Sequence, residues 1–349
     1  MPDKPLVVVL GASGFLGSAV TAALAGRPVR LRAVARREVA APAGCTADFE
    51  SRQADLTEPG ALAEAVEGAA AVFPFAAQIR GASGWRIAED DVVAERTNVG
   101  VIRELAEVLH GDPAPVVVFP GSNTQVGKHV EGRLDGTEED RPEGTYDRQK
   151  LTAERILKEA TAAGRLRGIS LRLPPVFGPP AATADDRGVV STMIRRALAG
   201  EPLTMWHDGT IRRDLLNVSD AARAFVAAMD HADALAGRHY LIGTGESEPL
   251  GDVFRLVAGA VARHTGTDPV PVVSVSPPSH ADGTDFRSVD VDPSAFAAAT
   301  GWQCQTPLAA ALEPPAASLG RVCAVSAQTH RTRCGRGGYF ARNRHPAAV

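Results

Sequence analysis

A glycine-rich turn near the start of the chain constrains the fold more than any other feature. The apolar run Leu6–Leu10 ends at Gly11-Ala-Ser-Gly14-Phe-Leu-Gly17, and an amphipathic stretch follows from about Phe15 to Ala25. With this spacing, the first glycine permits a sharp turn, the second lets the backbone approach a pyrophosphate, and the third lets a helix pack on the strand. The free N–H groups at the start of that helix suit phosphates. We expect cofactor contacts from Gly11, Ser13, Gly14, Phe15, Leu16 and Gly17.

Strand and helix patterns alternate after this turn. Apolar strand patterns occur at Val29–Val34, Ala69–Phe73, Val116–Phe119 and Ile169–Leu173, and helical patterns at Ala61–Glu67, Asp91–Leu109 and Tyr146–Ala163. Such alternation indicates βαβ units and a parallel sheet covered on both faces. The predicted fold class is α/β, a Rossmann-type doubly wound parallel sheet with a smaller, interleaved C-terminal substrate-binding lobe.

The pattern changes after Gly178-Pro179-Pro180, where the elements become shorter and mixed. We expect a dinucleotide-binding domain over residues 1–178, with its sheet completed by parts of residues 210–245. The substrate-binding lobe is expected over residues 179–318. Residues 319–349 contain several arginines but no acidic residue and no lysine. This tail is interpreted either as disordered or as the product of a shifted reading frame.

Composition excludes several classes of function. A formal net charge of −4 offers no strong positive field for nucleic acid or an anionic membrane. No apolar run has the length of a membrane span, and no signal peptide is evident, so a cytoplasmic enzyme is expected. None of the four cysteines forms a CxxC pair, so no metal site is expected.

Two arginines, Arg36 and Arg37, follow the second predicted strand. Enzymes that use NAD usually place an acidic residue here for the ribose 2′-hydroxyl, whereas an arginine suits the 2′-phosphate of NADP. No acid stands at Ala35. The pair therefore favours NADP over NAD, although a solvated basic turn has the same composition.

The helical segment at Tyr146 carries the chemistry expected of a carbonyl reductase. Tyr146 and Lys150 are four residues apart, which places phenol and ammonium on one helix face. A nearby cation lowers the pKa of a phenol, so that it can exchange a proton with a carbonyl oxygen as hydride is transferred. The same spacing also arises by chance on amphipathic helices.

Ser122 lies just after the predicted strand Val116–Phe119, at the sheet edge where such folds bind ligands. Its hydroxyl is suited to polarising a substrate carbonyl. A simple turn of small polar residues is the alternative interpretation of this segment.

Together these motifs resemble the extended short-chain dehydrogenase/reductase superfamily, in particular the NAD-dependent epimerase/dehydratase family, from about Leu6 to Ala311. The family pattern matches the three glycines, Ser122, and the Tyr146–Lys150 pair. The resemblance further implies cofactor contacts from Asp55, Leu56, Ala76, Ala77, Tyr146, Lys150 and Val176, the last within the turn Arg172-Leu-Pro-Pro-Val-Phe-Gly178-Pro179.

The resemblance also implies a substrate class. In family members that act on nucleotide sugars, residues matching Met205 or Trp206 lie near the base, and an arginine matching Arg213 reaches the diphosphate. Arg287 is the candidate for a second arginine there, because a guanidinium binds two phosphate oxygens at once. Members of the family often pair through the helix that carries Tyr146, so a homodimer is an expectation from the resemblance alone.

Within this family the chain resembles dTDP-4-keto-6-deoxyhexose 4-ketoreductases of antibiotic deoxysugar pathways. Related dehydratases carry an Asp-Glu pair where Asn123-Thr124-Gln125 stands, which argues against dehydration here. The resemblance therefore implies NADPH-dependent reduction of a dTDP-linked 4-ketosugar, with Ser122, Tyr146 and Lys150 as catalytic residues. The alternatives are an epimerase with resident NAD, a general NADP-dependent carbonyl reductase, and a non-catalytic NADP-sensing protein.

Overall fold

The computed structural model describes most of the chain. The described residues are 4–79, 87–128, 130, 132–179, 188–277, 286–313 and 315–317. The expectation for the tail 319–349 lies outside the described residues.

The strands and helices have the following bounds. The strands are β1 Leu6–Leu10, β2 Arg30–Ala35, β3 Asp48–Gln53, β4 Ala69–Pro74, β5 Val116–Ser122, β6 Gly132–Leu134, β7 Arg167–Leu173, β8 Val176–Phe177, β9 Leu203–Met205, β10 Arg212–Arg213, β11 Leu216–Asn217, β12 His239–Leu241, β13 Glu248–Pro249, β14 Val272–Ser274 and β15 Val289–Val291. The helices are α1 Phe15–Leu24, α2 Ala61–Val66, α3 Val92–Glu95, α4 Val101–Val108, α5 Thr145–Ala162, α6 Val189–Leu198, α7 Val218–Asp230, α8 Ala232–Leu235, α9 Leu250–Thr265 and α10 Ser294–Thr300.

Seven of the strands form one sheet in the order β12-β7-β5-β4-β1-β2-β3, and every pair in it is parallel. The predicted Rossmann-type α/β fold is therefore confirmed. The chain leaves β1 towards β2 on one side and later returns to β4 on the other. A crevice at the carboxyl ends of β1 and β4 follows from this reversal, and such crevices are where open α/β sheets bind ligands.

Both faces of the sheet are buried, which explains the uninterrupted valine run in β1. Val7 and Val9 belong to an apolar cluster with α1 and α7, whereas Val8 and Leu10 belong to a second cluster with α2, α4 and α5. Successive side chains of a strand point to opposite faces, so a strand covered on both sides must be apolar throughout.

The C-terminal half adds a separate apolar cluster built mainly from α6, α9 and β9. The structure also contains a four-stranded sheet in the order β13-β10-β15-β6, whose strands β15 and β6 pack against β12 of the large sheet. In that sheet Arg213 pairs with Val289, and Asp290 pairs with Arg133. Strands from distant parts of the sequence therefore lie next to β10, the strand that carries Arg213.

One strand of the large sheet was not predicted from the sequence. The segment β3 is polar, none of its residues is fully buried, and it pairs with β2 at the edge of the sheet. An edge strand buries little, so its hydrophobic signal is weak. The predicted third and fourth strands are consequently β4 and β5.

The helix expected over Asp91–Leu109 is not one regular α-helix. Residues Arg96–Gly100 form a π-helical turn between α3 and α4. Asn98 in that turn hydrogen bonds with the backbone of Gln78 and donates to Gln149 Oε1 at 2.8 Å. Inserted turns of this kind often occur at functional sites, and here the turn directs a polar side chain towards α5.

No helix among the described residues has the length and apolarity needed to cross a membrane. Within the same residues, no group of three or more His, Cys, Asp or Glu side chains is arranged to hold a metal ion.

The glycine turn gives a first prediction. A Cβ atom on Gly17 would collide with the carbonyl oxygen of Gly11, whereas a Cβ on Gly26 would have nothing within 4 Å. We expect Gly17→Ala to lower the free energy of unfolding by about 1–3 kcal/mol, the usual cost of overpacking. Binding of a nicotinamide dinucleotide should weaken as well, because the turn must shift.

Gly26→Ala is the matched control and should change the free energy of unfolding by less than about 0.5 kcal/mol. Denaturant unfolding and fluorescence titration with the dinucleotide measure both effects. Equal behaviour of the two variants would contradict the tight contact between α1 and the turn.

Candidate active site

The turn between β1 and α1 has the geometry of a dinucleotide cradle. Gly11 has a φ of 79°, a conformation that glycine adopts without strain. A Cβ on Gly11 would lie 2.7 Å from the backbone nitrogen of Ala76, so the turn touches the end of β4. Among the described residues no side chain caps α1, whose N-cap is Gly14. The N–H groups at the start of this helix therefore fit a pyrophosphate.

The remaining residues of the glycine motif flank that cradle. Ser13, Phe15 and Leu16 are half-buried, and Gly14 is exposed. Leu16 also packs against the apolar cluster beneath α1. The turn is therefore mostly covered by protein, and Gly14 is its exposed residue.

Arg36 and Arg37 lie just past the end of β2 and are exposed. Asp55 lies past the end of the neighbouring β3, and Leu56 beside it is buried. The pKa of Asp55 is below its ordinary value, chiefly because the Thr57 hydroxyl and N–H donate to it, with a smaller attraction from Arg36. The arginine pair and Asp55 therefore share the edge of the sheet at which the glycine turn lies.

Ala76 and Ala77 follow β4 as predicted, the first half-buried and the second exposed. Val176 begins β8 and packs against the apolar cluster that contains α1 and α7. Ala76 is in the immediate neighbourhood of the glycine turn.

Tyr146 and Lys150 lie on α5, and Lys150 points back to the strand that ends in Ser122. Lys150 Nζ donates to the carbonyl oxygen of Pro120 in β5 at 2.8 Å. The same Nζ lies 5.6 Å from the centroid of the Tyr146 ring and 4.7 Å from that of Phe119. The structure therefore brings the phenol and the ammonium of α5 together with the end of β5.

Ser122 ends β5, and a short 3₁₀ turn, Asn123–Val126, follows it. The turn is closed by a capping box in which Gln125 Oε1 accepts the Ser122 N–H at 2.8 Å. Ser122 Oγ lies 2.7 Å from the Thr124 hydroxyl, and that hydroxyl donates to Asp147 on α5. Hydrogen bonds thus link Ser122 and the turn that follows it, here called the serine loop, to Asp147, the residue after Tyr146.

The protonation of the two α5 groups follows from burial. Desolvation raises the pKa of the Tyr146 phenol well above its ordinary value, and the negative Asp147 raises it further. Burial also lowers the pKa of the Lys150 ammonium to about 8. The expectation that Lys150 lowers the pKa of Tyr146 is therefore wrong for the chain on its own, because desolvation and Asp147 dominate and keep the phenol protonated.

A buried ionic network lies behind the serine loop and was not predicted from the sequence. Glu154 on α5 accepts from Arg172 Nε at 3.0 Å and from Arg172 Nη2 at 2.8 Å. Gln125 Nε2 donates to Glu154 at 3.1 Å, and Arg172 also forms two 2.7 Å bonds to Asp140. Although burial alone raises the pKa of Glu154, hydrogen bonds from His239 and Arg172 hold it far below its usual range.

The two arginines proposed for the substrate are neighbours in the structure. Arg213 Nη1 donates to the carbonyl oxygen of Arg287, and Arg287 Nη1 donates to the carbonyl oxygen of Gly127 at 3.1 Å. Among the described residues, Arg287 Nε is a buried side-chain nitrogen with no hydrogen-bond partner. An unsatisfied buried donor next to a second guanidinium fits an anionic ligand, because leaving such a donor unpaired is costly.

Met205 and Trp206 lie at the end of β9. Met205 packs against the apolar cluster of the C-terminal half, and Trp206 is half-buried. Next to them, His207 has a lowered pKa, caused mainly by burial and opposed by Asp208, with a contribution from Arg213. The influence of Arg213 on His207 indicates that the end of β9 lies near Arg213. Contact of Met205 or Trp206 with the base of a sugar nucleotide stays a prediction.

Sequence reasoning missed Asp147, Thr124, Asn98 and Gln149 as parts of this region. A sequence signal existed for one of them: Thr124 is in the loop that was compared with dehydratases. The contact between Thr124 and Asp147 spans 23 residues, and no local periodicity reports such a contact.

Comparison with known proteins gives the family. Residues 7–243 match the model of the NAD dependent epimerase/dehydratase family. The chain belongs to this family, and a nicotinamide dinucleotide is the class of cofactor that the glycine turn fits.

The individual proteins to which the chain is similar share about a quarter of its residues. The chain is 25% identical over 343 residues to a dTDP-L-rhamnose 4-epimerase of Burkholderia thailandensis, covering 87% of this chain and 92% of that protein. It is also 25% identical over 291 residues to a dTDP-6-deoxy-L-talose 4-dehydrogenase (NAD(P)(+)) of Kitasatospora kifunensis, covering 82% of this chain and 87% of that one. The solved structure of MoeE5 in complex with UDP-glucose and NAD superposes with a TM-score of 0.75 at 27% identity, covering 91% of this chain and 99% of that chain.

Lys150 gives the second prediction, which concerns stability against pH. Its pKa is lowered from 10.5 to about 8 in the fold. Between these values the folded chain has released a proton that the unfolded chain still holds, so the free energy of unfolding rises with pH. Denaturant unfolding of wild type and Lys150→Met should therefore give a difference, wild type minus variant, that increases from pH 7.5 to pH 10.

Other titrating groups cancel in this difference because they are common to both proteins. A difference that stays flat, or that falls with pH, would show that the fold does not lower the pKa of Lys150.

Proposed function

We propose that this chain catalyses the NADPH-dependent reduction of the 4-keto group of a dTDP-4-keto-6-deoxyhexose, as required in antibiotic deoxysugar biosynthesis. The observation that carries the proposal is the meeting of three parts at one sheet edge. These are the glycine turn after β1, Ser122 at the end of β5, and the Tyr146–Lys150 pair, whose Lys150 Nζ bonds to the strand that ends in Ser122.

The chemistry assigns one task to each group. When bound, the reduced nicotinamide supplies the hydride. Tyr146, held protonated by desolvation and by Asp147, donates its phenolic proton to the carbonyl oxygen of the substrate. Lys150 holds the cofactor ribose and supports the phenolate that remains, and Ser122 contacts the reacting oxygen. Each proton lost from Tyr146 is regained from solvent in the next cycle.

The names of two relatives support a reaction at C4 of a dTDP sugar. One is a 4-epimerase and the other a 4-dehydrogenase, and both act on dTDP-linked sugars. A 4-dehydrogenase operating in reverse is a 4-ketoreductase. Arg213 and Arg287 supply the diphosphate contact, with the unpartnered Arg287 Nε as a donor for a phosphate oxygen.

The preference for NADPH rests on Arg36 and Arg37. Both side chains are exposed past the end of β2, where the adenosine ribose lies in this fold. Met205 and Trp206 are proposed to contact the base of the sugar nucleotide.

A second candidate function is epimerisation at C4 with resident NAD. The dTDP-L-rhamnose 4-epimerase favours it, because it aligns with 87% of the chain. Such an enzyme oxidises and reduces the same carbon with one cofactor molecule. Purified protein that contains NAD and converts substrate without added cofactor would support epimerisation.

The test is an NADPH oxidation assay with a panel of dTDP-4-keto-6-deoxyhexoses. Wild type should reduce at least one of them, and Tyr146→Phe should lower kcat by about a hundredfold or more while keeping the fold, since the general acid is lost and the ring remains. A free ketosugar should be a far poorer substrate than its dTDP form, because remote binding energy positions the reacting carbon. Equal reduction of free and nucleotide-linked ketones would instead indicate a general carbonyl reductase.

Cofactor choice can be tested separately. We expect replacement of both Arg36 and Arg37 by serine to raise the KM for NADPH about tenfold, because a charge-assisted contact to the 2′-phosphate is removed. The KM for NADH should change little, since NADH has no such phosphate. Arg103→Ser, an exposed arginine on α4, is the control. Equal use of both cofactors by the wild type would contradict the proposed preference.

A further inference from the structure

Three side chains form a continuous hydrogen-bonded chain between α5 and Ser122. Asp147, one residue after Tyr146, accepts from the Thr124 hydroxyl. Thr124 Oγ1 in turn lies 2.7 Å from Ser122 Oγ, and the Thr124 N–H points to the same Ser122 Oγ at 3.3 Å. The proposed function uses Ser122 but assigns no task to Thr124, and it uses Asp147 only for its charge.

The number of hydroxyl protons fixes which group donates in each of these hydrogen bonds. An ionised carboxylate can only accept hydrogen bonds, and each hydroxyl has a single proton to give. The proton of Thr124 goes to Asp147, so the 2.7 Å contact between the two hydroxyls needs the proton of Ser122. Ser122 is thereby committed as a donor to Thr124, and any other group that meets its Oγ must donate to it.

The position of Asp147 favours the ionised carboxylate that this argument requires. Asp147 is in the first turn of α5, an 18-residue helix, where the helix dipole stabilises a negative charge. A Cβ on Gly144, the N-cap, would lie 3.0 Å from Asp147 Oδ2, which puts the carboxylate directly beside the helix start.

We propose that Asp147 is a positioning residue: through Thr124 it fixes the Ser122 hydroxyl as a hydrogen-bond acceptor towards the substrate. Ser122 then binds the hydroxyl form of the sugar rather than its ketone, and Tyr146 is the one proton donor to the ketone oxygen. The identity of the sugar rests on the proposed function, whereas the proton positions are a property of the protein itself.

In the reaction, Tyr146 and Ser122 then have different roles. The substrate ketone receives the proton of Tyr146 as the hydride reaches the carbon. The new hydroxyl can then donate to Ser122, so that the serine stabilises the product side of the step. This differs from the sequence expectation, in which Ser122 polarises the carbonyl by donating to it.

Neutron diffraction from deuterium-exchanged crystals tests the proton positions without any substrate. We expect the deuteron of Ser122 on the line to Thr124 Oγ1, and that of Thr124 on the line to Asp147. A Ser122 deuteron turned away from Thr124, or a protonated Asp147, would overturn the proposal.

Binding measurements test the consequence in the Tyr146→Phe background, where turnover is stopped. Kd for the keto and for the hydroxyl form of the dTDP sugar is measured by calorimetry with and without Thr124→Val. Thr124→Val frees the Ser122 proton to donate to a ketone, so the preference for the hydroxyl form over the keto form should fall about fivefold, the usual effect of one neutral hydrogen bond. Asp147→Ala should act in the same direction, and Thr124→Ser should restore the wild-type ratio.

Equal weakening of both forms, or loss of the keto form alone, would overturn the proposal. Failure of both sugars to bind even the Tyr146→Phe parent would reject the proposed function instead. In that case the neutron result alone decides whether Asp147 and Thr124 orient Ser122.

Discussion

The buried ion pair between Glu154 and Arg172 is the interaction on which the geometry of the site depends. Glu154 is on α5 and Arg172 on β7, and both side chains are essentially inaccessible to solvent. Removing one partner of such a pair leaves an uncompensated buried charge, which typically costs about 3–5 kcal/mol. The pair therefore holds α5 in one register against the sheet, and Lys150 lies one helical turn before Glu154.

The same network contacts the loop that follows Ser122. Gln125 donates to Glu154 and accepts the N–H of Ser122, so the loop and the helix are oriented by one carboxylate. Asp140 satisfies the remaining face of the Arg172 guanidinium with two bonds of 2.7 Å. The Ser122 loop and α5 are thus held by hydrogen bonds to one buried carboxylate, the kind of supporting contact that a precisely positioned site requires.

How much of this could be predicted from the sequence depends on the range of each contact. The glycine turn and the Tyr146–Lys150 spacing are local, since one turn or one helix face determines them, and the sequence predicted both. The strand β3 was missed because an exposed edge strand has a polar sequence. Contacts such as Arg172 with Glu154, or Thr124 with Asp147, join residues on different elements, so that their partners become known only when the sheet order places β7 beside β5 and α5 against both.

Asp147 connects the two electrostatic properties that matter most for the direction of the reaction. Desolvation is the main cause of the raised pKa of the neighbouring phenol, and the charge of Asp147 adds to it; the bond from Thr124 to Asp147 is the one proposed to orient the serine hydroxyl. A phenol that is already protonated is in the state that reduction of a ketone requires, whereas oxidation of an alcohol must begin from the phenolate. An epimerase needs both directions on one carbon and would have to overcome this bias in its first half-reaction. A net reductase starts each cycle from the acid form, so reduction and epimerisation make opposite demands on the proton of Tyr146 at the first step.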